Sequence, residues 1–460
     1  MTKMVLRRFF IMLSRKALWN KTAVVLGCLT GALLWMLTSG VVNISLGIAD
    51  GASTDANTDR FQQLRHAPSV GSLIGKRLIE SMYHPVPTTG CVKKVLIFGE
   101  MKDMKDWPEL QAITAILRED VATGAWSGRT ECPTHNCNIS LTVSANLSLI
   151  AGMDAVVLGM LPKIFETHLK DLIRIEPPKG QTWIYFSTES PFRVTKWSKS
   201  FALRQLKYHK TMTYRRDSDV YLPFGYYREF LPNENRMILK KHNHALGKED
   251  LIVWIGSNCF EVTWPRIPFI DRLQELLPLK TYGKCGNLTC YPARSERCNR
   301  VMRKFKFYLA LANSECRDYI TEKFWANSLG YNIVPVVYGA PREDFEKVAP
   351  PDSFIHVSDF PSLEALAEYL RFLDQDDALY NSYFDWRKRG VIGQSFPIAQ
   401  TTICQILPHL YNGSEQKVKR IGDSEWYNGC RKPVQSIKGF VVERQFALYS
   451  SWKPWRLTDG

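Results

Sequence analysis

The sequence predicts an α/β fold in which two Rossmann-like, doubly wound domains face each other across a cleft, behind a single transmembrane helix and a stem. Three observations lead there. Near-continuous apolar runs of strand length recur in two sets that alternate with helical spacing, the pattern of buried parallel strands. An uncharged stretch of bilayer length stands near the N-terminus. The 460 residues are 45% hydrophobic and 23% charged, which excludes a mostly disordered chain and a small disulfide-stapled scaffold.

The N-terminal elements set the compartment. Residues 1–21 hold Lys3, Arg7, Arg8, Arg15, Lys16 and Lys21 and no acid, and no charged side chain occurs from Thr22 to Ala49. We expect a cytosolic tail over 1–21 and a signal-anchor over 22–42, with the basic flank kept in the cytosol and the rest delivered to the secretory lumen. The competing reading is a cleaved signal peptide, whose apolar region is shorter. Five Asn-x-Ser/Thr sequons fit a lumenal chain: Asn43, Asn138, Asn146, Asn287 and Asn412. Of eleven cysteines, Cys28 lies in the anchor and ten follow it, an even set suited to an oxidising compartment. Cys132, His135 and Cys137, or Cys285, Cys290 and Cys298, lack the paired C-x2-C spacing of a zinc site, so disulfides are expected at both. Spacing does not give the pairing. Residues 43–90, small, polar and Pro-punctuated, read as a stem.

The net charge of +15 invites nucleic acid, but six of those charges are the cytosolic flank and a lumenal domain meets no nucleic acid. No nucleic-acid partner is expected.

The first domain, placed at 91–240, has strands at Lys94–Phe98, Asp154–Gly159 and Thr182–Phe186. An Asn-rich connector spans 232–247. The second domain, placed at 241–430, has strands at Leu251–Ile255, Phe305–Ala310, Ile333–Tyr338 and Ser353–Val357, and helices at Glu322–Leu329 and Ser362–Leu373. Residues 431–460 form a C-terminal extension of unknown role.

Sites in open α/β sheets lie beyond the carboxyl ends of the strands. Glu189, in Ser187-Thr188-Glu189-Ser190-Pro191, follows a strand and is either a general base or a carboxylate satisfying a turn. Tyr214-Arg215-Arg216-Asp217-Ser218-Asp219 offers a guanidinium for phosphate, an Asp-x-Asp metal pair, or a salt-bridged turn. Ser257 and Asn258 end a strand and supply donors, and Arg266 follows as a candidate pyrophosphate grip. Asn313 lies past another strand. A helix opening near Thr321 or Asp318, with Lys323 at its start, is a seat for a diphosphate or a plain amphipathic helix.

The series YFSTESP, MTYRRDSDVYLPFGYY, VWIGSNC, YGKCG, FKFYLALANSECRDYITEKFW, VPVVYG, SFIHVSDF and YFDWR, in this order, resembles the α1,3-fucosyltransferases of glycosyltransferase family 10. The likeness is strong over about 180–390 and most specific from Arg303 to Gly339. It implies a GT-B fold whose C-terminal domain binds GDP-fucose, and an inverting transfer of L-fucose to a hydroxyl of N-acetylglucosamine. It places the family's ESP base on Glu189 and its donor-binding residues on Arg266, Asn313, Tyr319, Glu322 and Lys323. Tyr214, Arg216, Ser257 and Asn258 are expected to support the donor. The resemblance implies no required cofactor beyond the donor, with a divalent cation such as Mn at most stimulating, and no metal site at Asp217 and Asp219. The expected partners are GDP-fucose, a glycoprotein N-glycan or LacNAc/LacdiNAc acceptor, and the Golgi membrane, which a type II chain would enter once. Glycan attachment is expected at Asn138, Asn146, Asn287 and Asn412. Two positions depart from the family pattern: Ala312 stands where Glu is usual, and His209-Lys210 where Asn-Trp is usual. The alternatives are a metal-dependent GT-A-type glycosyltransferase using Asp217 and Asp219, and a catalytically inactive lumenal glycan-binding protein.

Overall fold

The computed structural model describes residues 90–442 apart from 106, 197–199, 232–241, 293–294, 432 and 437–438. The tail, the anchor, nearly all of the stem, Cys28 and Asn43 lie outside the described residues. No helix among the described residues is long and apolar enough to cross a membrane.

The first domain contributes nine strands: β1 (Val92–Phe98), β2 (Arg118–Glu119), β3 (Trp126–Thr130), β4 (Asn138–Ser144), β5 (Ala155–Leu158), β6 (Thr182–Ser187), β7 (Lys207–Tyr208), β8 (Lys210–Thr213) and β9 (Val220–Tyr221). Eight of them form one sheet in the order β2-β3-β4-β1-β5-β6-β8-β9. Its run from β4 to β9 is parallel, and the β2 and β3 edge is antiparallel. β5 and β6 are buried along their whole length, so no alternation shows in the sequence.

The second domain adds β10 (Gly225–Glu229), β11 (Asp250–Ile255), β12 (Leu279–Tyr282), β13 (Phe305–Leu311), β14 (Val334–Tyr338), β15 (Ile355–His356) and β16 (Gly390–Gln394). Its five-stranded sheet, β12-β11-β13-β14-β15, is entirely parallel. In the first sheet β1 lies between β4 and β5, and in the second β11 lies between β12 and β13, so each parallel run reverses its order at its first strand, as doubly wound sheets do. Helix Leu363–Gln375 shows how sequence sets packing. Ser362 caps it by accepting from the Ala365 N–H (3.3 Å), and Leu363, Leu366, Leu370 and Leu373, spaced three and four apart, form its buried stripe.

The expected domain limits need correction at both ends. Leu222 belongs to the first core, whereas Tyr227 of β10 is buried with Trp325 and Trp386 in the second, so the chain changes domain before Gly225 rather than at 240. β10 pairs with β16, and beyond it the chain returns to the first domain. Ile398, Ile403, Cys404, Ile406 and Leu410 pack with β1 and β4, and Trp426, Tyr427 and Cys430 pack on the opposite face. β17 (Lys419–Arg420) pairs with β7. The segment from about 395 to 430 is thus part of the first domain. After it, β18 (Pro433–Ser436) and β19 (Gly439–Val442) pair antiparallel within the extension.

Two elements are shorter than their sequence suggests. Helix Glu322–Trp325 stops after four residues because the Ala326 and Asn327 N–H groups both bond to Glu322 O, and Ser328 Oγ donates to Lys323 O (2.5 Å). β15 ends at His356, whose Nδ1 accepts from the Ser358 N–H (3.2 Å) and turns the chain.

All ten described cysteines pair: Cys91–Cys137, Cys132–Cys404, Cys259–Cys285, Cys290–Cys298 and Cys316–Cys430. Cys132–Cys404 ties the returning segment to the first domain, and Cys316–Cys430 ties it to the second. Asn146, Asn287 and Asn412 are exposed. Asn138 is not: it is buried in β4 and its Oδ1 accepts from the Cys132 N–H (3.2 Å), which leaves no room for a glycan and corrects that expectation.

Candidate active site

The carboxyl ends of β6 and β13 meet at the crevice between the domains. After β6 the chain makes a tight turn. Ser187 Oγ donates to Glu189 O (2.9 Å), and Ser190 caps the one-turn helix Pro191–Val194 by accepting from the Arg193 N–H (3.4 Å). Trp426, from the returning segment, donates its indole N–H to Glu189 O (3.1 Å). Glu189 is therefore fixed at its backbone by its own turn and by the returning segment, and its side chain reaches the cleft.

After β13 the loop Ala312–Thr321 is pinned as firmly. Trp264 Nε1 donates to Ala312 O (2.9 Å), and the Thr263 N–H donates to Asn313 O (3.0 Å). Ser314 Oγ and Ser190 Oγ share a hydrogen bond of 2.7 Å that joins the two loops. Asp318 sits in the left-handed region at φ 60° and faces two arginines of the first domain, Arg215 (3.3 Å) and Arg216 (2.6 Å). Asp344, fully buried, takes Arg317 (2.8 Å), Arg216 (3.4 Å) and the Asp318 N–H (2.8 Å). This network locks the loop between the domains.

The cleft has a volume of about 520 Å3 and is lined by Glu189, Asn313, Tyr319, Glu322 and Lys323, together with Trp107, Glu109, Thr188, Phe224, Asn299, Asn327, Tyr331, Gln394 and Phe396. The first five are the ones the sequence singled out. Tyr319 donates its hydroxyl to Glu189 Oε2 (3.0 Å). Burial, and then the negative charges of Glu189 and Glu322, push the Tyr319 hydroxyl well above its ordinary value, so it stays a neutral donor. Burial raises Glu189 above the ordinary carboxylate range, against the Tyr319 hydrogen bond and the charges of Lys323 and Arg193. Burial also works to raise Glu322, but the adjacent Lys323 ammonium (2.8 Å) outweighs it and holds Glu322 below its ordinary value. One carboxylate is thus made a better proton acceptor and the other is kept ionised.

Five expected donor residues stand away from this lining. Arg266, 1% exposed, begins helix Arg266–Leu276 and points inward, donating to Asn313 Oδ1 (2.7 Å), Leu311 O (3.2 Å) and Asn258 O. Burial lowers it to about 10, still charged at neutral pH. It braces Asn313 from behind the lining. Asn258 is spent on its own turn, with Nδ2 donating to Glu261 O (2.8 Å) and Oδ1 accepting from the Glu261 N–H (3.0 Å). Ser257 is exposed outside the lining. Tyr214 is buried beneath Tyr319, ring centroids 4.9 Å apart, and Arg216 is committed to the two aspartates.

Asp217 and Asp219 do not converge. Asp217 pairs with Arg215 (2.6 Å), whereas Asp219 takes Lys210 (3.2 Å) and the Thr211 N–H (2.9 Å), which removes the Asp-x-Asp metal reading. The positions that depart from the family pattern have structural roles. His209 Nδ1 accepts from the Trp183 N–H (2.8 Å), a role that needs the neutral ring which burial favours. Ala312 is buried beside Gly339, where a Cβ added at residue 339 would come within 2.5 Å of the Ala312 methyl.

A family model described as "Fucosyltransferase, N-terminal" matches residues 94–225, and one described as "Glycosyltransferase family 10 (fucosyltransferase) C-term" matches 245–424, together more than half of the chain. The chain is 32% identical over 388 residues to Glycoprotein 3-alpha-L-fucosyltransferase A of Drosophila melanogaster, covering 81% of this chain and 69% of that one. The chain belongs to the family 10 fucosyltransferases. This fucosyltransferase is also 31% identical over 363 residues to 4-galactosyl-N-acetylglucosaminide 3-alpha-L-fucosyltransferase FUT5 of Hylobates lar, covering 78% of this chain and 86% of that one. A solved structure described as an alpha1,3-fucosyltransferase aligns at 15% identity and a TM-score of 0.43, covering 73% of this chain and 95% of that one.

Proposed function

We propose that this fucosyltransferase moves L-fucose from GDP-fucose to a hydroxyl of N-acetylglucosamine in a glycoprotein glycan, in α1,3 linkage and with inversion, and that Glu189 is the general base. The observation that carries the reading is Glu189 and Lys323 lining one cleft between the carboxyl ends of two doubly wound sheets. Glu189 takes the proton of the acceptor hydroxyl as its oxygen attacks the anomeric carbon. The bond from that carbon to the diphosphate breaks on the opposite face. Lys323 meets the charge developing on the departing GDP, and Tyr319 holds the base in line. Glu322 stays ionised beside the fucose ring as positive charge develops there. A type II Golgi location, with glycans at Asn146, Asn287 and Asn412, belongs to the same proposal.

Full-length protein, GDP-fucose and a panel of N-acetylglucosamine-containing acceptors test it. Transfer to at least one acceptor is expected, and turnover of none, with no donor hydrolysis, would favour the inactive glycan-binding alternative. Removing the cation in Lys323→Ala is expected to weaken GDP binding about 10- to 100-fold in a calorimetric titration. The pH profile follows from the raised Glu189. A base works deprotonated, so kcat rises with pH through that group, and its acid limb should lie above the ordinary glutamate value of about 4.3. An acid limb at or below that value would argue against Glu189.

A further inference from the structure

We infer that Trp107 and Phe396 form an aromatic shelf for the sugar next to the accepting one, a subsite that rests on the fucosyltransferase reading above. The two walls of the cleft differ in chemistry. Asn313, Lys323, Asn327 and Tyr331 of the second domain present amides, an ammonium and a hydroxyl, suited to a nucleoside diphosphate. The facing wall is a run of rings. Tyr319, bonded to Glu189, meets Phe224 at 6.2 Å between centroids, and Phe224 meets Phe396 at 4.9 Å. Trp107 and Phe396 are both half-buried against the first core, each leaving part of its ring in the cleft. The Ile398 N–H donates to Glu109 O (2.8 Å) and sews the two stretches together.

A pyranose carries axial C–H bonds on one face, and their partial positive charge is drawn to the negative face of an aromatic ring. The accepting hydroxyl must lie about 3 Å from Glu189. Phe224 is flanked by Tyr319 and Phe396, so Phe396 lies about one pyranose farther out, and the Ile398–Glu109 bond brings the stretch that carries Trp107 to it. A monosaccharide held at the base falls short of the shelf, and a disaccharide reaches it.

The test uses full-length enzyme in detergent with saturating GDP-fucose. It compares a methyl N-acetylglucosaminide with whichever of LacNAc, LacdiNAc or chitobiose the wild type uses. Trp107→Ala and Phe396→Ala are each expected to raise KM for the disaccharide about tenfold with kcat unchanged. KM for the monosaccharide and the affinity for GDP should stay within about twofold. Trp107→Phe keeps an aromatic face and should stay within about threefold of wild type on the disaccharide, which separates lost stacking from lost folding. The shelf is refuted if the Ala variants weaken GDP binding, if the monosaccharide suffers equally, or if no parameter moves. Wild-type transfer to none of the acceptors defeats the fucosyl-transfer reading itself and the shelf with it.

Discussion

Glu189→Gln is expected to bind GDP as the wild type does and to transfer fucose about 100- to 10,000-fold more slowly. Glutamine has the same shape and its carbonyl still accepts from the Tyr319 hydroxyl, so the 3.0 Å contact survives. The turn survives as well, because Ser187 and Trp426 hold the backbone oxygen of residue 189 and not its side chain. What disappears is the capacity to take a proton. Single-turnover transfer rates beside a GDP titration separate the two effects. Normal turnover in this variant would remove Glu189 as the base, and lost GDP binding would move it to the donor.

Asp344→Ala is expected to destabilise the protein by about 3–5 kcal/mol, since it strips a buried anion from cations that stay behind. Asp344 is 0% exposed and holds Arg317 through two bonds of 2.8 and 3.0 Å, with Arg216 at 3.4 Å and Lys347 at 4.0 Å. Asp344→Asn keeps a hydrogen-bonding group and should cost less. Denaturant midpoints measure both. The same loss frees the Asp318 N–H, so the Asn313–Lys323 loop loosens and GDP affinity should fall in parallel with stability. A variant as stable as the wild type would show that the arginines find other partners.

The central strands of both sheets were legible because buried parallel strands write themselves as continuous apolar runs, as at Thr182–Phe186, buried throughout, and at Leu251–Ile255, buried through its middle. β4 escaped because Asn138–Ser144 alternates Ile, Leu and Val with polar residues and overlaps a sequon, which drew attention to its asparagine instead. At the site, Glu189 and Asn313 could be read because each follows a strand by a few residues, and Lys323 because it opens a helix, whereas Tyr319 and Glu322 were legible only through the likeness of their block to the family 10 enzymes. The inward direction of the Arg266 guanidinium could not be read, because position in the sequence locates a side chain and does not give the direction it points. Trp107 and Phe396 carried no motif. They reach the cleft through a three-residue helical turn at Pro108–Leu110 and through the return of the chain after β16, and only tertiary structure brings them together.

That return has a consequence for how the molecule is made. The first domain is a discontinuous domain with the second inserted into it, so its core lacks Ile403, Ile406 and Leu410 until nearly the whole chain has left the ribosome. The partners of Cys132 and Cys316 emerge just as late, at Cys404 and Cys430. Vectorial synthesis can complete the inserted domain first, while the half-built host holds an unmatched thiol at Cys132. A chain cut short before Cys404 would stall at that stage with its base-bearing turn at Glu189 lacking the Trp426 support.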